Sequence, residues 1–199
     1  MAVVMRAFRF KRKLGFRDCY SAMVLAYGAS FRRKKIDPRF EERIMLAVTE
    51  VNGCEVCSYA HTRAALKKGF SKEEIESLLR RSPAYVRAEE AQAILFAQHY
   101  ADSKGRPDRE AYETVVQEYG PETSKDIVAA IQIVMMGNMI GLPLSALMSR
   151  LRGKPYANST LLYELGMQIS TFIVFPVSLF HALLRWVGRR ESIRFAEAE

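Results

Sequence analysis

Between Glu50 and His61 the chain places Cys54 and Cys57 three residues apart, and His61 follows Cys57 by four. On a helix these positions form one stripe. In the first turn of a helix the unpaired N–H groups and the dipole favour negative charge, which lowers a thiol's pKa. The thiolate is the nucleophile, and an imidazole one turn further on can accept or relay its proton. Two sulfurs a turn apart can also close into a disulfide, so the second thiol resolves whatever forms on the first. The same pair could be half of a zinc site with His61 as third ligand, but no second Cys-x-x-Cys or His-x-His follows to complete it. The pattern favours thiol redox chemistry, which requires no cofactor and no metal because sulfur carries the electrons. His99 and His181 stand isolated on apolar helical segments and read as core histidines. Cys19 reads as a small core residue.

The segments that must position these residues all have helical period, with no convincing strand alternation. A first helix covers about residues 16 to 29, with Phe16, Tyr20, Met23 and Tyr27 on one face. A second starts after Asp37, placed as N-cap with Pro38 at the first helical position. Its stripe Ile44, Ala47, Val48 and Val51 is opposed by Glu42, Met45, Leu46 and Thr49 at the same spacing. A helix apolar on two sides is buried on two sides, which makes Glu42 a candidate buried acid. Asn52-Gly53 ends that helix, and the next opens near Cys54 and runs to Gly69. Ser71 and Glu74 form a capping box for a short fourth helix. A fifth begins around Arg87, with Ala93, Phe96, Ala97 and Tyr100 on one face. A sixth follows Pro107-Asp108 and stops at Gly120. A long seventh, capped near Pro121 to Thr123, carries Ile127, Ala130, Ile131 and Val134, reaches Asn138 and Gly141, and should kink at Pro143. Gly153-Lys154-Pro155 marks a boundary, after which Ile169 to Leu184 is strongly apolar and arginines follow.

Of 199 residues, 49% are apolar and 26% charged, the profile of a folded chain rather than a disordered one. The net charge of +8 gathers at Arg6, Arg9 and Lys11 to Lys13, at Arg32 to Lys35, and at Arg185, Arg189, Arg190 and Arg194. No nucleic-acid motif and no interleaved aromatic platform accompanies these clusters, so solvated surface is the plainer reading and no nucleic-acid partner is expected. Three cysteines do not make a disulfide framework. The N-terminus lacks the apolar run of a signal peptide, so a reducing cytoplasm is the expected compartment.

From Glu42 to Gly69 the chain resembles the alkyl hydroperoxidase D branch of the carboxymuconolactone decarboxylase family. The resemblance rests on Glu42 twelve residues before Cys54, together with Asn52, Gly53, Cys54, Cys57, Ala60 and His61. Gly69-Phe70-Ser71 to Ile75 looks like the family's glycine break and short helix. The resemblance implies that Cys57 is the attacking thiolate and Cys54 its resolving partner, with Glu42 and His61 in the proton relay. Glu50 is a further relay candidate, against the plainer reading of an exposed helical glutamate. Peroxidase relatives place a histidine just before the second cysteine, where this chain has Val56. The implied fold is a single all-α domain, residues 1 to 153, followed by a helical extension, residues 154 to 199. The implied partners are a hydroperoxide or disulfide substrate, a dithiol reductant, and further copies of the chain in a trimer or hexamer.

Two other readings remain. The decarboxylase branch of the same family suggests a lyase acting on small carboxylated lactones without need of a cysteine pair. The apolar run from Ile169 to Leu184 suggests a membrane-surface or scaffold protein, although Pro176, His181, Glu164 and Gln168 weigh against a span. A buried oligomer-contact helix is the favoured reading of that run.

Overall fold

The computed structural model describes residues 14–32, 35–80, 85–188 and 193–196. Among them are seven α-helices and no β-strand, which is the all-α architecture expected. The helices are α1 (Phe16–Ser30), α2 (Pro38–Asn52), α3 (Glu55–Lys67), α4 (Lys72–Leu79), α5 (Ala91–Asp102), α6 (Arg109–Leu151) and α7 (Leu161–Val187). A 3₁₀ turn, Ala88–Glu90, leads into α5 and replaces the start expected at Arg87. The first basic cluster, Arg6 to Lys13, lies outside the described residues, as do Arg33, Lys34, Arg189 and Arg190.

The centre of the molecule is α6, which packs against α1, α2, α3, α5 and α7. Its break falls at Gly120, where φ is 77° and ψ is 163°, a backbone conformation that only glycine adopts readily. Two helical runs therefore meet there, as the sequence pattern required. Pro143 keeps helical backbone angles, and Gly120 is the one non-helical position inside α6. The proline is itself buried beside Leu142 and Ala146, both fully buried, so it stands in the packed part of α6.

Asp37 accepts the amide hydrogens of Arg39 and Phe40 and starts α2 as anticipated. Both faces of α2 are covered, with Ile44, Ala47, Val48 and Val51 on one side and Glu42, Leu46 and Thr49 on the other. Ser71 caps α4 by accepting from the Glu74 amide, but the box is only half made. The Glu74 carboxylate turns away to the buried Arg43, which also reaches Glu90, and this ion-pair cluster ties α2 to α4 and the 3₁₀ turn. α3 stops at Lys67, and Gly69 takes the left-handed conformation that follows.

Several single-residue expectations need correction. Phe16 is 51% exposed although it shares a face with the fully buried Met23, because it is the first residue of α1 and stands at its open end. Neither isolated histidine is a core residue. His99 is half-exposed at the end of α5, where its Nε2 accepts the Asp108 amide. His181 is half-buried and bonded to the Tyr20 hydroxyl at 2.6 Å, at the edge where α7 meets α1. Cys19 is buried as anticipated, and burial raises its pKa above the usual thiol value. Arg32 pairs with Glu122 and Asp126 and so belongs to the contact between the end of α1 and α6.

Candidate active site

α2 ends at Gly53, whose φ of 68° and ψ of 31° reverse the chain while its amide closes on Thr49 O at 2.8 Å. This turn delivers Cys54 to the N-cap of α3. The cysteine there takes the place usually held by Ser, Thr or Asp: its Sγ accepts the Cys57 amide at 3.3 Å. Cys54 and Cys57 are joined as a disulfide. Cys54 is completely buried, whereas Cys57 keeps 9% of its surface.

The wall behind the disulfide is α6. A Cβ added at Gly141 would lie 2.5 Å from Cys57 Sγ and 2.6 Å from Cys54 Sγ, so the bare backbone of Gly141 is what lets the sulfurs approach. One turn earlier, the Gly137 carbonyl lies 3.6 Å from Cys57 Sγ. One turn later, Ser145 Oγ accepts the Val56 amide at 3.2 Å, donates to Gly141 O at 2.8 Å and stands 4.0 Å from Cys54 Sγ. Gly137, Gly141 and Ser145 were not read as site residues. Their signal was present as small residues at four-residue spacing, which is the pattern of close approach to a helix backbone.

On the other side of the cysteines, Glu42 from α2 meets His61 from α3. The Glu42 carboxylate is 3% exposed and accepts from His61 Nδ1 at 2.7 Å through Oε1. Its Oε2 accepts from Lys68 Nζ at 2.6 Å, and the same ammonium also donates to Pro38 O. Burial by itself would raise the Glu42 pKa. The hydrogen bonds and charges of His61 and Lys68 outweigh it, so the carboxyl lies below its ordinary value. With Nδ1–H committed to a carboxylate, a neutral ring has its lone pair on Nε2. Lys68 was missed from the sequence, though it lies seven residues after His61 and hence on the same side of α3.

Glu50 is half-buried near the end of α2, and His61 Nδ1 is bonded to Glu42. Val56 presents its amide to Ser145 while its side chain packs on the main core. Among the described residues no three His, Cys, Asp or Glu side chains are grouped to hold a metal ion.

Residues 17–99 match the sequence model of the carboxymuconolactone decarboxylase family. That stretch contains Glu42, Cys54, Cys57, His61 and Lys68, while Gly137, Gly141 and Ser145 lie beyond it. No curated protein and no solved structure matches the chain.

Proposed function

We propose that this chain is a thiol–disulfide oxidoreductase of the alkyl hydroperoxidase D type, reducing hydroperoxides or exchanging disulfides through Cys54 and Cys57. The observation that carries the reading is a disulfide at a helix N-terminus, one turn from a histidine held by a buried, charged glutamate. In the reductive half, a dithiol's thiolate attacks Cys57 Sγ, the sulfur on the more accessible cysteine. The Cys54–Cys57 bond breaks and its electron pair leaves on Cys54, where the Cys57 amide receives the negative charge. The reductant's second thiol then displaces Cys57 and leaves as a disulfide. In the oxidative half, His61 takes the Cys57 proton at Nε2 while Glu42, itself held by Lys68, holds the ring. The Cys57 thiolate attacks the hydroperoxide oxygen, the O–O bond breaks, and the alkoxide leaves as an alcohol with a proton. Cys57 is now a sulfenic acid; Cys54 attacks it, water leaves, and the disulfide returns.

Counting thiols in the reduced chain before and after one equivalent of peroxide tests this. Free thiols should fall from three to one per chain, leaving buried Cys19. Cys57→Ser should abolish turnover, and Cys54→Ser should trap a sulfenic acid or mixed disulfide on Cys57. An unchanged thiol count would sink the proposal.

The matched family's name supports a second reading, a lyase on small carboxylated lactones. Alkylating both thiols separates the two, since redox turnover should vanish and lyase turnover should survive. As partners we propose further copies of this chain, joined through α7, and a cytoplasmic dithiol.

A further inference from the structure

A cavity of about 650 Å³ opens between the first half of α1, the turn after α5 and the middle of α6. Its α6 wall is Gln132, Met135 and Met139, which recur at three- and four-residue spacing and so share one face. The disulfide lies against Gly137 and Gly141. Two residues along a helix turn the side chain by about 200°, so cavity and disulfide occupy opposite sides of α6. The cavity is not part of the thiol site.

Its chemistry is divided. The floor is apolar: Met135, Met139 and Leu25 are buried, beside the fully buried ring of Tyr100, whose hydroxyl accepts from Gln132 Nε2. The rim is cationic, carrying Arg17, Lys104, Arg106 and Arg194 against a single acid among the residues that line it, Asp18. Asp18 already accepts the Gly15 amide at 2.8 Å, and Arg194 is turned inward by its bond to Ser21 Oγ. Lys104 and Gly105 both have positive φ, 57° and 84°, and this turn lays Gly105 against the Tyr100 ring between the two rim cations Lys104 and Arg106.

We propose that this cavity binds a soluble organic anion, an apolar body ending in a carboxylate or phosphate. The volume falls in the range of small-molecule sites, which combine an apolar lining with a few placed polar groups. The apolar body would lie on the methionines and Tyr100, and the oxyanion would meet guanidinium groups, which suit carboxylate and phosphate geometry. A neutral amphiphile would leave the rim unused, and inorganic phosphate would leave the floor unused.

Calorimetric titration of the full chain with octanoate, monooctyl phosphate, octan-1-ol and inorganic phosphate tests this. One of the two octyl anions should bind one per chain, at least tenfold more tightly than octanol or phosphate, and which one it is identifies the head group. Arg17→Glu and Arg106→Glu, both exposed and thus tolerable to the fold, should each weaken that binding tenfold or more. Binding should persist in Cys54→Ser and Cys57→Ser, so failure of the redox reading leaves this one standing. Equal binding of octanol, or binding indifferent to both arginine variants, would overturn it and locate the interaction on apolar surface elsewhere.

Discussion

At the scale of single residues, Glu42 links stability to pH in a direction that can be worked out. Its native carboxyl titrates below the ordinary value of 4.5, so the unfolded chain binds the proton more readily than the native one. The stabilisation is therefore complete above about pH 4.5 and is lost as pH falls through the lower native value. Glu42→Gln should flatten the acid side of the stability curve, read as urea midpoints between about pH 3 and 6. Parallel curves for the two proteins would mean that the contacts of Glu42 do not hold it charged in solution. Val56 poses a different question: His61 takes the Cys57 proton, but a valine cannot hand a second proton to the alkoxide that leaves. A general acid–base component contributes roughly 10²–10⁴ in rate, so peroxide turnover should be weak in the native chain. Disulfide exchange depends less on the relay, since the α3 N-terminus still favours thiolate. Val56→His should raise peroxide turnover while leaving exchange with a small disulfide within a few-fold. Strong native peroxidase activity that does not improve on this substitution would show that another group completes the relay.

At the scale of elements, the redox state of the pair depends on how closely α3 approaches α6. Gly141 is the contact point, and it sits inside a helix where alanine would be favoured by about 0.5–1 kcal/mol. Against that gain, a Cβ at this position would overlap both sulfurs, and overpacking costs about 1–3 kcal/mol. The clash should win because a disulfide has no flexible end to move aside. Gly141→Ala should therefore shift the pair toward the dithiol at a fixed glutathione ratio, by roughly tenfold or more at 1.4 kcal/mol per decade. Circular dichroism should show the helices retained. An unchanged equilibrium would mean that α3 and α6 can move apart at little cost.

At the scale of the whole molecule, α7 decides the surface. It is fixed along one stripe: Glu164, fully buried, takes both arms of Arg150 and the Ser159 hydroxyl, while Met167 and Val174 join the main core. The rest of its circumference is apolar and uncovered in the single chain, with Leu162 84%, Phe172 81% and Phe180 63% exposed. No charged residue interrupts Ile169 to Leu184. α6 is also apolar and long enough to cross a membrane, but its apolar window is 72% buried against 22% for α7. Patches of this extent mark interaction surfaces, and the proposed occupant is a second copy of the chain. Because α7 contributes to the core, removing it would damage α1 and α6, so outward-facing substitutions are the cleaner probe. Phe172→Glu with Phe180→Glu should reduce the sedimenting species to a single chain and leave thiol chemistry intact. A native chain that already sediments alone, or that floats with lipid vesicles, would refute this assembly.

What the sequence determined was local. Helical period, the Asp37-Pro38 start, the Asn52-Gly53 stop and the Gly120 break are set by backbone preferences within a few residues, and each is found in place. The burial of Glu42 was also legible, because a helix with two apolar faces leaves few positions in solvent. What only the tertiary structure decided concerns residues far apart in the chain. Which cysteine is more exposed, and that Gly141 and Ser145 stand behind the pair, depend on how α6 crosses α3 some eighty residues downstream. Lys68 could not be assigned to Glu42 until the angle between α2 and α3 was known. His99 and His181 read as core residues because their neighbours in sequence are apolar, yet α5 ends at the surface and α7 lies at an edge. Periodicity tells which side of a helix is apolar; it does not tell whether another helix comes to cover it.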